Sequence, residues 1–446
     1  MPKEKIVYVV HGIDTEGPLH ESLSATFERL QDTFDINLTP SYANLQKLRN
    51  QEIDLDGRES VVAKFLDPSL LTYNETWDHI DKMLARILAK DYRNQITDSF
   101  GGGWVYNWFC LDHVGFEVNP RGKDLGYHNV YDRYMEFLDK YDSHEIDEMD
   151  WHFHPLSTYR EAHRCATSYE NSPHLHPILC RKIIERNFFP SVFRAGFHVE
   201  RPDCHWFLEQ WIPFDGTNLA VDNLEELEMQ NDLRNGRFGD WRRAPSDWSV
   251  YHPDFYDYQK PGQCRRSIAR FLNVNTRFAN ITQEETDKAF RNAQNGMDVM
   301  LGLASHDYRE LSTEVDMARE MIQKSSEKYQ DVKFKFCKAK HAFNQVVNAG
   351  DYAPLELDVS LYRDAGALKL KILTKSGEVF GPQPYLAIKT KSGRFIHDNL
   401  DFGLDQRSWH YVFDADSVLD TDVEVVGVAA NNKYGHTFIK NLKADI

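Results

Sequence analysis

Residues 6 to 10, Ile-Val-Tyr-Val-Val, form an unbroken apolar run that ends at His11. Such a run marks a strand buried on both faces, as in a parallel sheet or barrel. Val299-Met300-Leu301-Gly302-Leu303 is a second run of this kind. Between them, helical periodicity covers residues 22–33, 76–90 and 127–140; in the second, Trp77, Ile80, Met83, Leu84, Ile87 and Leu88 share one face. A further helix is predicted from near Thr313, where Asp316 three residues on makes a variant capping box. Strands alternating with helices over the first three quarters of the chain predict an α/β barrel.

The period changes near residue 350. Leu355, Leu357, Val359 and Leu361 alternate with Glu356, Asp358 and Ser360, and Leu368, Leu370 and Ile372 alternate with Lys369 and Lys371. Lys375-Ser376-Gly377 reads as a turn, and Tyr385–Ile388 and Val423–Val428 as further strands. One-sided strands at short spacing predict a small β-sandwich. The expected division is a barrel over residues 1–347 and a sandwich over 355–446, with the break at Asn348 to Pro354.

Composition narrows the class. The 446 residues carry a formal net charge of −17, with 41% hydrophobic and 27% charged residues, as in a soluble globular protein. The acid excess argues against nucleic acid or an anionic membrane as a partner. No run of about 18 apolar residues marks a transmembrane segment, and Ile6 to Val10 is too short for a signal peptide. The six cysteines (Cys110, Cys165, Cys180, Cys204, Cys264, Cys337) are scattered with no Cys-x-x-Cys pair, which predicts reduced thiols in a cytoplasmic protein. The pattern leaves the oligomeric state open.

Four places carry candidate chemistry. His11-Gly12-Ile13-Asp14-Thr15-Glu16 follows the first strand, where a barrel opens into its active site. A carboxylate there is a hard oxygen ligand, a general base or a helix cap. In Asp150-Trp151-His152-Phe153-His154-Pro155, His152 and His154 point to one face of an extended segment, which suits two imidazoles on one metal ion. His174-Leu175-His176 is a similar pair, but Pro177 opens a helical pattern, so the first pair is preferred. Arg194, in Phe193-Arg194-Ala195-Gly196, is a forked cation suited to hold a carboxylate. His306, after the second apolar run, is a candidate general acid, with Asp307 or another carboxylate raising its pKa.

Taken in order, strand–Asp, His-x-His, Arg-Ala-Gly and strand–His resemble the polysaccharide deacetylase (NodB-homology) family, carbohydrate esterase family 4, and its relatives in bacterial surface-polysaccharide and O-antigen clusters. The resemblance spans roughly residues 6 to 345. It implies a distorted (β/α)7 TIM-like barrel and the removal of N- or O-acetyl groups from sugars. It also implies a divalent metal, commonly zinc, held by Asp14, His152 and His154, with Arg194 orienting the base and His306 as general acid. Trp206 and Asp215-Gly216-Thr217-Asn218 fall where relatives line the sugar groove. In relatives with an Asp-x-Asp-x-Glu pattern the first Asp is the base; here that position is Gly12. Glu16, and Asp112 with His113 after the apolar Trp108–Leu111, are the candidates to replace it. The expected partner is a glycan carrying an N-acylated amino sugar, or its lipopolysaccharide precursor. The alternative is an impaired homologue that binds glycan or scaffolds its biosynthesis. In the sandwich, Tyr385, Trp409, His410 and Tyr411 are either glycan-contacting or core aromatics, the latter preferred.

Overall fold

A computed structural model describes residues 4–157, 160–162, 164, 168–169, 171–223, 239–348, 352–405 and 407–445. Its first part is a closed parallel barrel of seven strands: β1 (Ile6–Thr15), β2 (Tyr106–Cys110), β3 (Glu148–Phe153), β4 (Val192–Ala195), β5 (Phe214–Asn218), β6 (Ser267–Asn273) and β7 (Val299–His306). β7 returns to pair with β1 and closes the ring. An eighth strand, β8 (Lys333–Phe336), pairs with the first half of β1 at Ile6–Val9, while β2 takes its second half at His11–Thr15. This is a TIM-like α/β architecture. β1 and β7 are the two apolar runs of the sequence, buried as a barrel strand must be.

The strands are wrapped by amphipathic helices. Trp77–Ile87 buries Ile80, Met83, Leu84 and Ile87, and its Thr76 side chain caps the His79 N–H. Asn129–Lys140 buries Val130, Tyr131, Tyr134, Phe137 and Leu138. The helix expected from Thr313 begins at Leu311 instead. Glu310 accepts from Ser312 N–H at 3.1 Å, and Asp316 is drawn off by the Tyr92 hydroxyl at 2.9 Å. Between β1 and β2 the chain builds a helical insertion with its own core, in which Phe27, Leu30 and Phe34 of helix Leu23–Phe34 meet Leu45, Leu48, Val62 and Leu66. Its short helices, Tyr42–Arg49 and Glu59–Phe65, carry too few turns to show a period.

The last barrel-side helix is Ala339–Val347, and the first strand beyond it is β9 (Glu356–Asp364). Residues 349–351, in the middle of the expected break, lie outside the described residues. Two four-stranded antiparallel sheets follow. One has the order β13 (Asp401–Phe402), β14 (Ser408–Phe413), β10 (Ala367–Ser376), β9; the other is β12 (Phe395–Asp398), β11 (Tyr385–Thr390), β15 (Val423–Asn431), β16 (Thr437–Lys443). They share one core of Leu357, Leu370, Ile388, Trp409, Tyr411 and Val426. Tyr385 is buried against the barrel, its hydroxyl 2.9 Å from His176 Nδ1. Tyr385, Trp409 and Tyr411 are thus core residues and present no glycan surface.

Among the described residues no helix is long and apolar enough to cross a membrane. Cys110, Cys180, Cys204, Cys264 and Cys337 are free thiols; Cys165 lies outside the described residues.

Candidate metal centre and active site

Parallel register assembles the site. Asp14 on β1 stands beside His306 on β7, and His152 on β3 stands beside Arg194 on β4, all at the ends where the strands open outward. Gly12, Asp14 and Glu16 lie at successive i, i+2 positions and share the inward face.

The lowest of these positions has no room for a side chain. A Cβ on Gly12 would sit 2.9 Å from Phe109 and 3.2 Å from Phe271, whose rings fill the barrel interior. Arg194 lies above that aromatic floor, its guanidinium 5.0 Å from the Phe271 ring centroid. From there it grips Asp14 in a fork: Nε donates to Oδ1 at 2.7 Å and Nη2 to Oδ2 at 3.0 Å. Its Nη1 donates to the Gly216 carbonyl at 2.6 Å. Burial alone would raise the Asp14 carboxyl, but Arg194, with His152 and His306 behind it, holds it well below the usual range.

One layer higher, Glu16, His152 and His154 bring one ligand atom each within 4.8 Å of one another. His152 Nδ1 lies 2.9 Å from the Arg194 carbonyl. A carbonyl only accepts, so Nδ1 carries the proton and Nε2 presents its lone pair. That Nε2 faces His154 Nε2 at 2.9 Å, and Glu16 Oε1 is 3.8 Å from His154 Nε2. Tetrahedral ligands about 2.0–2.1 Å from a zinc ion stand roughly 3.4 Å apart, so these separations bracket the requirement. Burial lowers His154 to about 3 and also lowers His152, which keeps both rings neutral, as ligands must be. Burial would raise the Glu16 carboxyl, yet the Lys123 ammonium holds it well below the usual range. Two neutral imidazoles and one carboxylate are a donor set suited to a divalent metal, and these residues can hold a metal ion.

Glu16 is clamped from three directions. Lys123 Nζ binds its Oε2 at 2.7 Å, His113 Nε2 lies 2.9 Å from its carbonyl, and Asp307 Oδ1 accepts its N–H at 2.9 Å. Asp307 also accepts from Gly17 N–H and the Tyr134 hydroxyl, so it fixes this loop and does not act on His306. Gly196 makes room for His154: a Cβ there would lie 2.2 Å from the imidazole Cδ2.

His306 completes the group. Its Nε2 is 3.8 Å from Asp14 Oδ2 and 4.0 Å from Glu16 Oε1, and its buried Nδ1 has no hydrogen-bond partner. The expected rise in its pKa does not occur. Burial pushes it down to about 4, against the pull of Asp14.

Several candidates fall elsewhere. Asp14, expected among the ligands, is held by Arg194 through both oxygens, and the compact group of possible ligands is Glu16, His152 and His154. Asp112 does not reach the site; Lys182 Nζ binds its Oδ2 at 2.8 Å and His128 N–H its Oδ1 at 2.9 Å. Trp206 packs on Phe255 outside the cavity. The stretch Asp215–Asn218 is β5 itself, supporting Arg194 through Gly216. His174 and His176 bond Tyr127 and Tyr385.

Asp14, Glu16, His152, His154 and His306 line one cavity of about 460 Å³ that runs outward beneath the helical insertion. Its lining includes Lys123, Arg29, Arg121 and Arg277, none of which the motifs pointed to. Comparison of the chain with family models, curated proteins and solved structures finds no match. The site is therefore interpreted from its own chemistry.

Proposed function

We propose that the protein is a metal-dependent hydrolase of the deacetylase type. Its substrate would be an N-acylated amino sugar of a bacterial surface glycan (O-antigen, lipopolysaccharide or a precursor). The observation that carries this reading is the stacking, in one cavity, of an Arg194-held Asp14, the Glu16–His152–His154 group and His306. The motif order of these same residues, which resembles the NodB-homology family, is in keeping with it.

A divalent ion, zinc by preference for this donor set, would be held by Glu16, His152 and His154. When bound it would supply polarisation of the acyl carbonyl and acidify a water molecule. Asp14 then fits the role of base. If Arg194 is the arginine that orients the base, as the resemblance implies, the carboxylate it grips is the base, and the motif is displaced by two residues from Gly12 to Asp14. Each Asp14 oxygen keeps a further lone pair beyond its bond to Arg194 and can accept the water proton there. His306 Nε2, unprotonated and 3.8 Å from Asp14 Oδ2, would take over the proton that Asp14 accepts from water and pass it to the leaving amine.

A second reading, glycan binding without hydrolysis, is favoured by the aromatic floor that leaves Gly12 no side chain. The two separate on acetate release. The metal-loaded protein is incubated with N-acetylglucosamine-containing oligosaccharides, and acetate is measured for the parent and for Asp14→Asn. Release that falls by about 10²–10⁴-fold in the variant supports hydrolysis by this base. Sugar binding with no acetate from the metal-loaded parent supports the second reading.

A further inference from the structure

The charges lining the cavity are matched almost one for one near the candidate metal centre. Asp14 pairs with Arg194, Glu16 with Lys123, and Arg309 with Glu314 at 3.2 Å. Towards the outside, Glu28 and Asp32 both pair with Arg164. The match then fails. Arg29, Arg121 and Arg277 line another part of the cavity, where Glu21 is the one carboxylate acting on all three and Glu28 adds only to Arg121.

Glu21 cannot neutralise all three. Arg29 Nη2 takes its Oε1 at 2.6 Å, while Arg121 Nε stands 3.6 Å from its Oε2, beyond a hydrogen bond. Tyr73 already donates to that Oε2 at 3.4 Å. The Nε atoms of Arg29 and Arg121 are buried with no hydrogen-bond partner. Arg277 reaches the carbonyls of Phe65 and Leu70, at 3.3 and 3.4 Å, and the Tyr73 side chain, but no carboxylate within hydrogen-bond distance. Both Arg29 and Arg277 lie over the Phe65 ring, at 5.0 and 4.6 Å, which fixes two like charges on one aromatic support. Burial pushes Arg277 down to about 10, with Arg29 adding to the effect. Guanidiniums that are largely buried with donors unmet cost stability unless something else meets them. Forked guanidiniums are suited to oxyanions.

We propose that the Arg29–Arg121–Arg277 cluster is an anion-binding subsite that seats a phosphate ester or carboxylate of the substrate while its acyl group lies at the inner site. The word substrate rests on the deacetylase reading; the anion site stands on the charge imbalance and the unpartnered donors. The substrate class is thereby narrowed to acidic glycans or phosphorylated precursors.

The test is calorimetric titration of the full chain in EDTA, so that no metal contributes, with inorganic phosphate and separately with glucuronate. Saturable binding of at least one is expected. It should weaken about tenfold in Arg121→Gln and in Arg277→Gln, the loss of one charge-assisted contact each. Glu21→Gln should instead tighten it, because a competing carboxylate is removed, which a merely structural role would not produce. Binding of phosphate alone marks a phosphate ester, and of glucuronate alone a carboxylate. Absence of saturable binding by both, an unchanged Kd in the arginine variants, or weaker binding in Glu21→Gln overturns the proposal. His154→Ala should leave the phosphate Kd unchanged while abolishing metal-dependent acetate release, so failure of the hydrolase reading registers separately.

Discussion

The Arg194 guanidinium binds the Asp14 carboxylate through both of its oxygens, at 2.7 and 3.0 Å, across 180 residues of sequence. That fork decides how the two carboxylates of the first motif divide their work. Asp14 is held in place by nitrogen donors, and Glu16, two residues on, is left to join the histidines.

Arg194→Lys tests the fork. Lysine keeps the charge but presents a point donor that cannot hold two oxygens at once. Acetate release should fall about 10²-fold, the scale of a misplaced reacting group, while metal content stays at the parent level. Unchanged turnover would show that the bidentate geometry is dispensable.

Gly12→Asp supplies the first Asp of the Asp-x-Asp-x-Glu pattern that the motif resembles and should nonetheless fail to raise activity. Its Cβ meets Phe109 at 2.9 Å and Phe271 at 3.2 Å, and the new carboxylate would be buried without a partner. Loss of roughly 2–4 kcal/mol in chemical denaturation is expected. A variant as stable as the parent would mean that the floor is softer than it is drawn here.

Much of this was readable in advance, and the reasons for the exceptions are physical. The apolar runs of β1 and β7 mark the strand ends that carry Asp14 and His306, and the His-x-His and Arg-Ala-Gly patterns lie on β3 and β4, so the residues that meet at the site are visible as local patterns. Asp14 is expected as a ligand and Glu16 as a base on sequence order alone, whereas their partners Arg194 and Lys123 arrive from far along the chain and no local pattern shows them. Asp112 looked equally eligible until Lys182, from helix Leu175–Arg186, neutralised it. The arginine cluster joins three segments with no shared motif, so no spacing could announce it. The short helices of the insertion escaped because eight residues or fewer give barely two turns.

Gly196→Ala should disturb the centre without touching a ligand. The added methyl falls 2.2 Å from His154 Cδ2 and must displace the ring. Metal affinity should drop about 10–100-fold, as when a ligand loses its support, with the circular dichroism spectrum retained. Parent-like affinity would exclude this role for the glycine.

Stability should depend on pH through histidines kept neutral by burial. His11, His198 and His397 are pushed to about 3 and His113 to about 4. Below the ordinary value of 6.5 the unfolded chain takes up protons that the folded chain refuses. Their contribution is therefore complete above pH 6.5 and lost as pH falls towards 3 or 4. Burial also raises Asp215, Asp307 and Glu314 to about 7, which opposes this trend. A single-site comparison isolates the histidine effect. Relative to the parent, His11→Asn should gain about 1.4 kcal/mol per pH unit below 6.5 in urea unfolding. A pH-independent difference would show that His11 titrates normally.

The most direct measurement is elemental metal content per chain in the parent, Glu16→Ala, His154→Ala and Asp14→Asn. The account predicts one divalent ion in the parent, loss of it in Glu16→Ala and His154→Ala, and retention in Asp14→Asn. Metal kept by Glu16→Ala and lost from Asp14→Asn would contradict it and return the ligand role to Asp14.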